Sequence, residues 1–221
     1  MKKLVWIFLF LAFRMTAVQA EPESKVKIVA LGDSTAAGTP GFCSPRECPP
    51  DGRGDEESQH AYWVMKCHPG WEVVNQGVNG ERSDQILKRF ETDVLRLKPK
   101  AVIVLAGVND LFQGRPVESI QKNLTQIYER ARAAGILVLA CSVIPYNFST
   151  SEVKQKMNDL NVWIRTYSLK RGNGFCDTYQ AVDDLASLGN LISSPDGLHP
   201  DKDGYHKMGD VIAGCLESMK I

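Results

Sequence analysis

Five segments of strand length alternate with stretches of helical spacing from residue 27 to the C-terminus, and that alternation leaves few folds open. The strand candidates are Lys27–Leu31, Trp71–Asn75, Ala101–Ala106, Ile136–Val143 and Phe175–Thr178. Ile28–Leu31 and Ala101–Ala106 are apolar without interruption, the pattern of a strand buried on both faces of a parallel sheet. Between them, Ala61–Cys67 suits one or two helical turns. Longer helices are expected from Ser83 to Leu97, Val117–Ala134, Ser151–Lys170 and Asp201–Met219. Ser83 or Asp84 is a suitable cap for the first of these, and Gly135 a suitable stop for the second. Strands and helices in strict alternation argue for an α/β domain in three layers, with helices on both faces of a parallel sheet. The stretch Thr39–Gln59 holds four prolines, three glycines and the acidic run Asp55-Glu56-Glu57, so it reads as a long loop. It leaves the first strand's end directly and is expected to overhang whatever lies there. Asp183–Leu191 shows no clear pattern.

The first twenty residues read as an export signal: Lys2 and Lys3, then an unbroken apolar stretch Leu4–Phe13, then Val18 and Ala20 before a cut after Ala20. That stretch is too short to span a bilayer, which needs about 20 residues. The remaining chain, 21–221, is expected to form one domain, secreted or periplasmic, with no stable membrane insertion once the signal is gone. Loss of Lys2, Lys3 and Arg14 takes the 26 basic residues to 23, against 26 acidic, so no basic excess points to nucleic acid. All six cysteines fall after residue 20, and an even count in an exported chain favours disulfides. Cys43 and Cys48 can close a small ring. Cys141, inside an apolar run, suits a buried free thiol instead. Zinc is the rival use, but none of the four histidines has zinc-finger spacing with these cysteines. Asn123 and Asn147 begin glycosylation sequons.

In an open α/β sheet the loops beyond the carboxyl ends of the strands share one edge, where ligands bind. Four of these loops carry unusual residues: Gly32-Asp33-Ser34, Asn79-Gly80, Gly107-Val108-Asn109-Asp110, and Ser194-Pro195-Asp196-Gly197-Leu198-His199-Pro200. Acyl transfer needs a hydroxyl, a base to take its proton, a group to orient the base, and donors for the developing oxyanion. Ser34 supplies the hydroxyl and His199 the base. Asp196, three residues before His199 with Gly197 letting the chain fold back, supplies the orienting carboxylate. Asn109 has a side-chain amide to donate, and Gly80 and Ser34 have backbone N–H groups. Each feature alone has a plainer explanation: Asp33 or Ser34 as a helix cap, and Gly80 and Asn109 as turn residues that tolerate positive φ. Asp33 reads as structural, Asp110 as a cap for the segment after it, and His60, His68 and His206 as surface or packing residues.

Taken in order, these four blocks resemble those of the SGNH (GDSL-type) esterase and lipase family, over nearly the whole chain from about Val26 to Leu216. The resemblance implies a flavodoxin-like sheet of about five strands in the order 2-1-3-4-5. It implies Ser34 as nucleophile, His199 as base, Asp196 as its partner, and an oxyanion hole of the Ser34 and Gly80 N–H groups with the Asn109 side chain. No metal or organic cofactor is implied. The third block reads Gly-Val-Asn-Asp where many members have Gly-Gly-Asn-Asp, and the segment 39–59 is longer than in compact members. Relatives of this family act on lysophospholipids, thioesters, aryl esters and acetylated sugars. The polar, proline-rich segment 39–59 favours small acyl groups, including O-acetyl on a glycan. The expectation is therefore an exported serine esterase acting on a small-molecule or glycan ester. The alternative, a catalytically silent glycan-binding module on the same scaffold, would be favoured by a missing triad member.

Overall fold

In a computed structural model, residues 24–221 are described; the expected signal segment 1–20 and its cut after Ala20 lie outside them. Five parallel strands form one sheet: β1 (Val26–Gly32), β2 (Trp71–Gly77), β3 (Ala101–Leu105), β4 (Leu137–Cys141) and β5 (Gly174–Cys176). Their order across the sheet is β2-β1-β3-β4-β5, with every neighbouring pair parallel, as the family resemblance implies. Five helices of eight residues or more flank it: α1 (His60–Cys67), α2 (Ser83–Asp93), α3 (Val117–Ala133), α4 (Ser151–Lys170) and α5 (Lys202–Ser218). Side chains alternate across the sheet. Val29 and Leu31 pack under α2, α3 and α4 through residues such as Phe90, Leu124 and Leu160. Ile28 and Ala30 pack under α1 and α5 through Val64, Tyr205, Met208 and Ile212. Burial on both faces is why β1 and β3 are continuous apolar runs.

The register brings the functional loops level. Gly32 at the end of β1 lies opposite Gly77 on β2 and Leu105 on β3. Both glycines are required by close approach. A Cβ on Gly32 would run into the Leu105 carbonyl and Ala36, and one on Gly77 into the Ala37 backbone.

Several local expectations need correction. β4 stops at Cys141, not Val143, because Asn161 of α4 takes both backbone groups of Val143: Val143 N–H donates to Asn161 Oδ1 at 2.7 Å, and Asn161 Nδ2 donates to the Val143 carbonyl at 2.9 Å. β2 runs on to Gly77 in step with β1. The cap of α2 is Arg82, whose N–H donates to Gln85 Oε1 at 3.1 Å, and neither Ser83 nor Asp84. The helix ends at Asp93, and a short 3₁₀ turn, Leu95–Leu97, completes the segment. Asp183 and Leu191 form a single antiparallel bridge that closes a loop.

The stretch 39–59 is not a bare loop. It carries a two-residue antiparallel ladder, Phe42–Cys43 with Arg53–Gly54, a 3₁₀ turn Glu56–Ser58, and a Cys43–Cys48 disulfide. Ser44 Oγ donates to the Gly77 carbonyl at 2.6 Å, and Asn75 Nδ2 donates to Gln59 Oε1 at 2.7 Å, so the stretch braces the end of β2. Cys141 and Cys176 are buried free thiols, and Cys67 and Cys215 are also free. Among the described residues, no group of three or more His, Cys, Asp or Glu is placed to hold a metal ion, and no helix is long and apolar enough to cross a membrane. Asn123 is tied inward, its Nδ2 donating to Ser83 Oγ at 3.0 Å.

Of the three histidines read as surface or packing residues, His68 stacks on Trp71 and His206 on Trp63. His60 is fully buried at the start of α1, and neither ring nitrogen has a hydrogen-bond partner among the described residues. Burial lowers its pKa from 6.5 to about 4. The unfolded chain therefore takes up this proton as the pH falls below about 6.5, whereas the folded chain resists until about 4. Stability is lost across that window and is fully present above it. Relative to His60→Leu, wild type should lose about 3 kcal/mol of unfolding free energy between pH 7 and pH 4, read from urea melts at each pH. Parallel pH profiles for the two proteins would show that His60 is not buried in its neutral form.

Candidate active site

Ser34 opens a one-turn helix, Ser34–Ala37, immediately beyond β1. Asp33 is its cap, with Oδ1 accepting from Thr35 N–H at 3.0 Å. The Ser34 N–H, in the first turn, has no acceptor within the helix. Asp33 itself points into the fold, and its Oδ2 is buried with no hydrogen-bond partner among the described residues. Burial pushes its carboxyl up to about 7, against the bond from Thr35. A carboxyl so held is a structural part of the turn, as expected, and is not hydrogen-bonded to the His199 ring.

His199 arrives from the loop between β5 and α5. Its Nε2 lies 2.8 Å from Ser34 Oγ, and its Nδ1 lies 2.7 Å from Asp196 Oδ2. The 165 residues separating Ser34 from His199 along the chain are closed by the sheet. The loop is built to present both groups. Asp196 Oδ1 accepts from Leu198 N–H at 2.9 Å and from His199 N–H at 2.8 Å, and Gly197 sits at φ +76°. Ser194 Oγ donates to the His199 carbonyl at 2.6 Å and accepts from Gly197 N–H at 2.8 Å. Burial would raise the Asp196 carboxyl, but the bonds from the His199 ring and from the two backbone N–H groups outweigh it and hold the pKa at about 2. An ionised carboxylate can only accept, so Nδ1 carries the proton and the neutral ring presents Nε2 as the acceptor for Ser34.

Gly80 and Asn109 face the same space. A cavity of about 170 Å³ is lined by Ser34, Gly80, Asn109 and His199, with Val108, Phe112, Tyr146 and Leu198 as its apolar wall. Gly80 has φ +73° and open space beyond its Cα, so the turn residue read from the sequence is also a cavity residue. Asn109 is not in the left-handed region; Gly107, at φ +124°, takes that conformation before the one-turn helix Val108–Phe112. Asn109 Nδ2 donates one N–H to the Glu81 carbonyl at 3.0 Å. Its second N–H is spare for a ligand.

Two expectations fail here. The segment 39–59 contributes no residue to the cavity wall. It reaches only the rim, through Thr39 and Glu47, both hydrogen-bonded to Asn79. Asp110 does not cap the segment after it. Its two carboxylate oxygens accept from Ser83 N–H at 2.7 Å and Ser83 Oγ at 2.8 Å, pinning the start of α2. Burial raises the Asp110 carboxyl against those bonds.

The sequence reading also missed Arg89. Its signal was present: Ile86, Arg89, Phe90 and Asp93 share one helical face, and a charged pair inside an apolar stripe marks a buried network. The apolar wall left no comparable signal, because Phe112, Tyr146 and Leu198 come from three segments far apart in the chain.

Comparison with known proteins places this geometry in context. A model of the GDSL-like Lipase/Acylhydrolase family matches residues 30–207. The chain is 30% identical over 148 residues to an uncharacterized lipoprotein, YqeF, of Bacillus subtilis, covering 63% of this chain and 57% of that protein's length. It is 23% identical over 204 residues to thioesterase 1/protease 1/lysophospholipase L1 of Escherichia coli K12, covering 87% of this chain and 84% of that one. Its fold is similar to that of a putative lipolytic protein of the G-D-S-L family from Desulfitobacterium hafniense. The TM-score is 0.72 at 24% identity, over 87% of this chain and 100% of the other.

Proposed function

The chain belongs to the GDSL-like lipase/acylhydrolase family, and from that premise we propose that it is an exported serine esterase that hydrolyses carboxylic esters of short acyl groups. The observation that carries this reading is the relay from Ser34 Oγ to His199 to Asp196, at 2.8 and 2.7 Å, on the wall of a cavity. Ser34 Oγ attacks the ester carbonyl while His199 Nε2 takes its proton. The carbonyl oxygen becomes an oxyanion and receives the Ser34 and Gly80 N–H groups and the spare N–H of Asn109. The C–O bond to the alcohol breaks, His199 returns the proton to the departing oxygen, and an acyl group stays on Ser34. Water, deprotonated by the same ring, then releases the acid and restores the hydroxyl. Asp196, ionised down to about pH 2, stabilises the imidazolium and does not itself take the proton. Export is supported by Lys2, Lys3 and the apolar run Leu4–Phe13.

The cavity volume, about 170 Å³, supports small acyl groups. An apolar cavity of about 150 Å³ admits a benzene-sized group, so roughly six carbons fill this one. In a series of p-nitrophenyl esters, kcat/KM should stop rising at about hexanoate. A methylene buried in a longer pocket would be worth about 0.8 kcal/mol, close to fourfold each. A continued rise of that size through dodecanoate would contradict the short-acyl reading. No turnover of any ester would favour the silent glycan-binding alternative.

A further inference from the structure

We propose that Glu81 and Arg89 are positioning residues for the oxyanion hole, Arg89 holding the Glu81 side chain so that the Glu81 carbonyl holds Asn109. This rests on the esterase reading above and extends it to two residues that the cavity wall does not include.

Arg89 lies on α2 with only 9% of its side chain exposed. Its guanidinium donates to four acceptors, on β1, β2, α2 and the loop before α2. Nη2 reaches the Gly32 carbonyl at 2.8 Å, Nη1 the Gln76 carbonyl at 2.8 Å and Asp93 Oδ2 at 2.7 Å, and Nε reaches Glu81 Oε2 at 2.6 Å. Gly32 and Gln76 lie at the ends of the strands that lead to Ser34 and Gly80. One planar cation thus spans the two strand ends and the loop between Gly80 and α2, a geometry lysine lacks. Asp93 also takes Arg46 Nε at 3.1 Å, so two guanidinium groups face two carboxylates and the buried charge is balanced.

Glu81 is the residue through which this network reaches the site. Its side chain takes Arg89, and its carbonyl takes one N–H of Asn109 at 3.0 Å. A primary amide has two N–H groups; with one fixed on Glu81, the direction of the other is set. The loop's own restraint is slight, since Glu81 N–H meets the Val78 carbonyl only at 3.4 Å and nothing packs beyond Gly80. An oxyanion donor acts only when held where the charge develops, so freeing Glu81 should be read in kcat and not in KM.

A double-mutant cycle in the full-length protein tests this. Asn109→Ala should lower kcat by about 10²–10³, the cost of one oxyanion donor. Glu81→Ala should lower kcat at least tenfold with KM changed less than threefold, and Glu81→Gln, which keeps an acceptor for Arg89, should recover most of the loss. In the Asn109→Ala background, Glu81→Ala should cost no more than about threefold. The proposal is overturned if Glu81→Ala costs the same factor in both backgrounds, or leaves kcat within twofold while Asn109→Ala lowers it. If Glu81→Ala does not fold, Arg89→Lys takes its place, with the same cycle deciding. An Asn109→Ala enzyme with unchanged kcat would instead remove Asn109 from the oxyanion hole, a separate failure of the underlying reading.

Discussion

Ser34→Ala should lower kcat/KM for p-nitrophenyl acetate by about 10⁴–10⁶ while leaving the fold intact. In the proposed mechanism the Ser34 hydroxyl oxygen forms the covalent bond, and members of a triad act as a unit, so removing it should forfeit nearly all of what the three supply together. The structural cost is small. Ser34 Oγ meets the His199 ring at a partly buried position beside the cavity, where water can take its place. Its backbone stays in the one-turn helix capped by Asp33, a role that does not use the side chain. Paired measurements of turnover and melting temperature check both halves. A variant that keeps more than a tenth of wild-type kcat/KM would exclude Ser34 as the nucleophile.

Asp196→Asn should lower kcat by about 10³–10⁴, and should be at least as damaging as Asp196→Ala. The reason lies in the backbone around it. Asp196 Oδ1 accepts from both Leu198 N–H and His199 N–H, so an asparagine there would point its oxygen at those donors and its NH₂ group at the ring. An NH₂ group facing Nδ1 makes that nitrogen an acceptor and moves the ring proton to Nε2. Nε2–H, 2.8 Å from Ser34 Oγ, cannot take the hydroxyl proton. Alanine removes the orienting carboxylate but imposes no wrong tautomer. Comparison of kcat for the two variants decides it: an asparagine variant substantially more active than the alanine variant would mean that Asp196 does not set the tautomer of His199.

The parts of the molecule legible in the sequence are those where one physical demand dominates. Ile28–Leu31 and Ala101–Ala106 had to be central strands because both faces are covered, and they lie at β1 and β3. Ser34, Asp196 and His199 converge because loops after parallel strands open at one edge, and Gly80 and Asn109 line the same cavity. Helix α4 was legible to the residue, Ser151–Lys170, with the Thr150 side chain accepting from Val153 N–H at its start. What escaped depends on side chains from distant segments. β4 ends early because Asn161, eighteen residues away, competes for the Val143 backbone. The 39–59 stretch was expected over the site because it leaves Ser34 directly, yet Ser44 and Gln59 tie it to β2. Asp110 looked like a local cap because its partner, Ser83, lies 27 residues earlier. Glu81 was invisible for the same reason, its importance coming from Asn109, which no local pattern connects to it; the helical stripe marks Arg89 as buried but does not reveal its bond to Gly32.

Incubation with a reactive p-nitrophenyl phosphonate, followed by intact-mass and peptide analysis, tests the role of Ser34 without reference to any particular ester. A phosphonate is attacked by an activated hydroxyl and leaves a stable tetrahedral adduct in the place of the oxyanion. Wild type should gain a single phosphonyl group, on Ser34, in step with loss of turnover, and Ser34→Ala should gain none. A wild-type chain that stays unlabelled, or carries the group on another residue while Ser34 remains free, would contradict the assignment of Ser34 as an activated nucleophile.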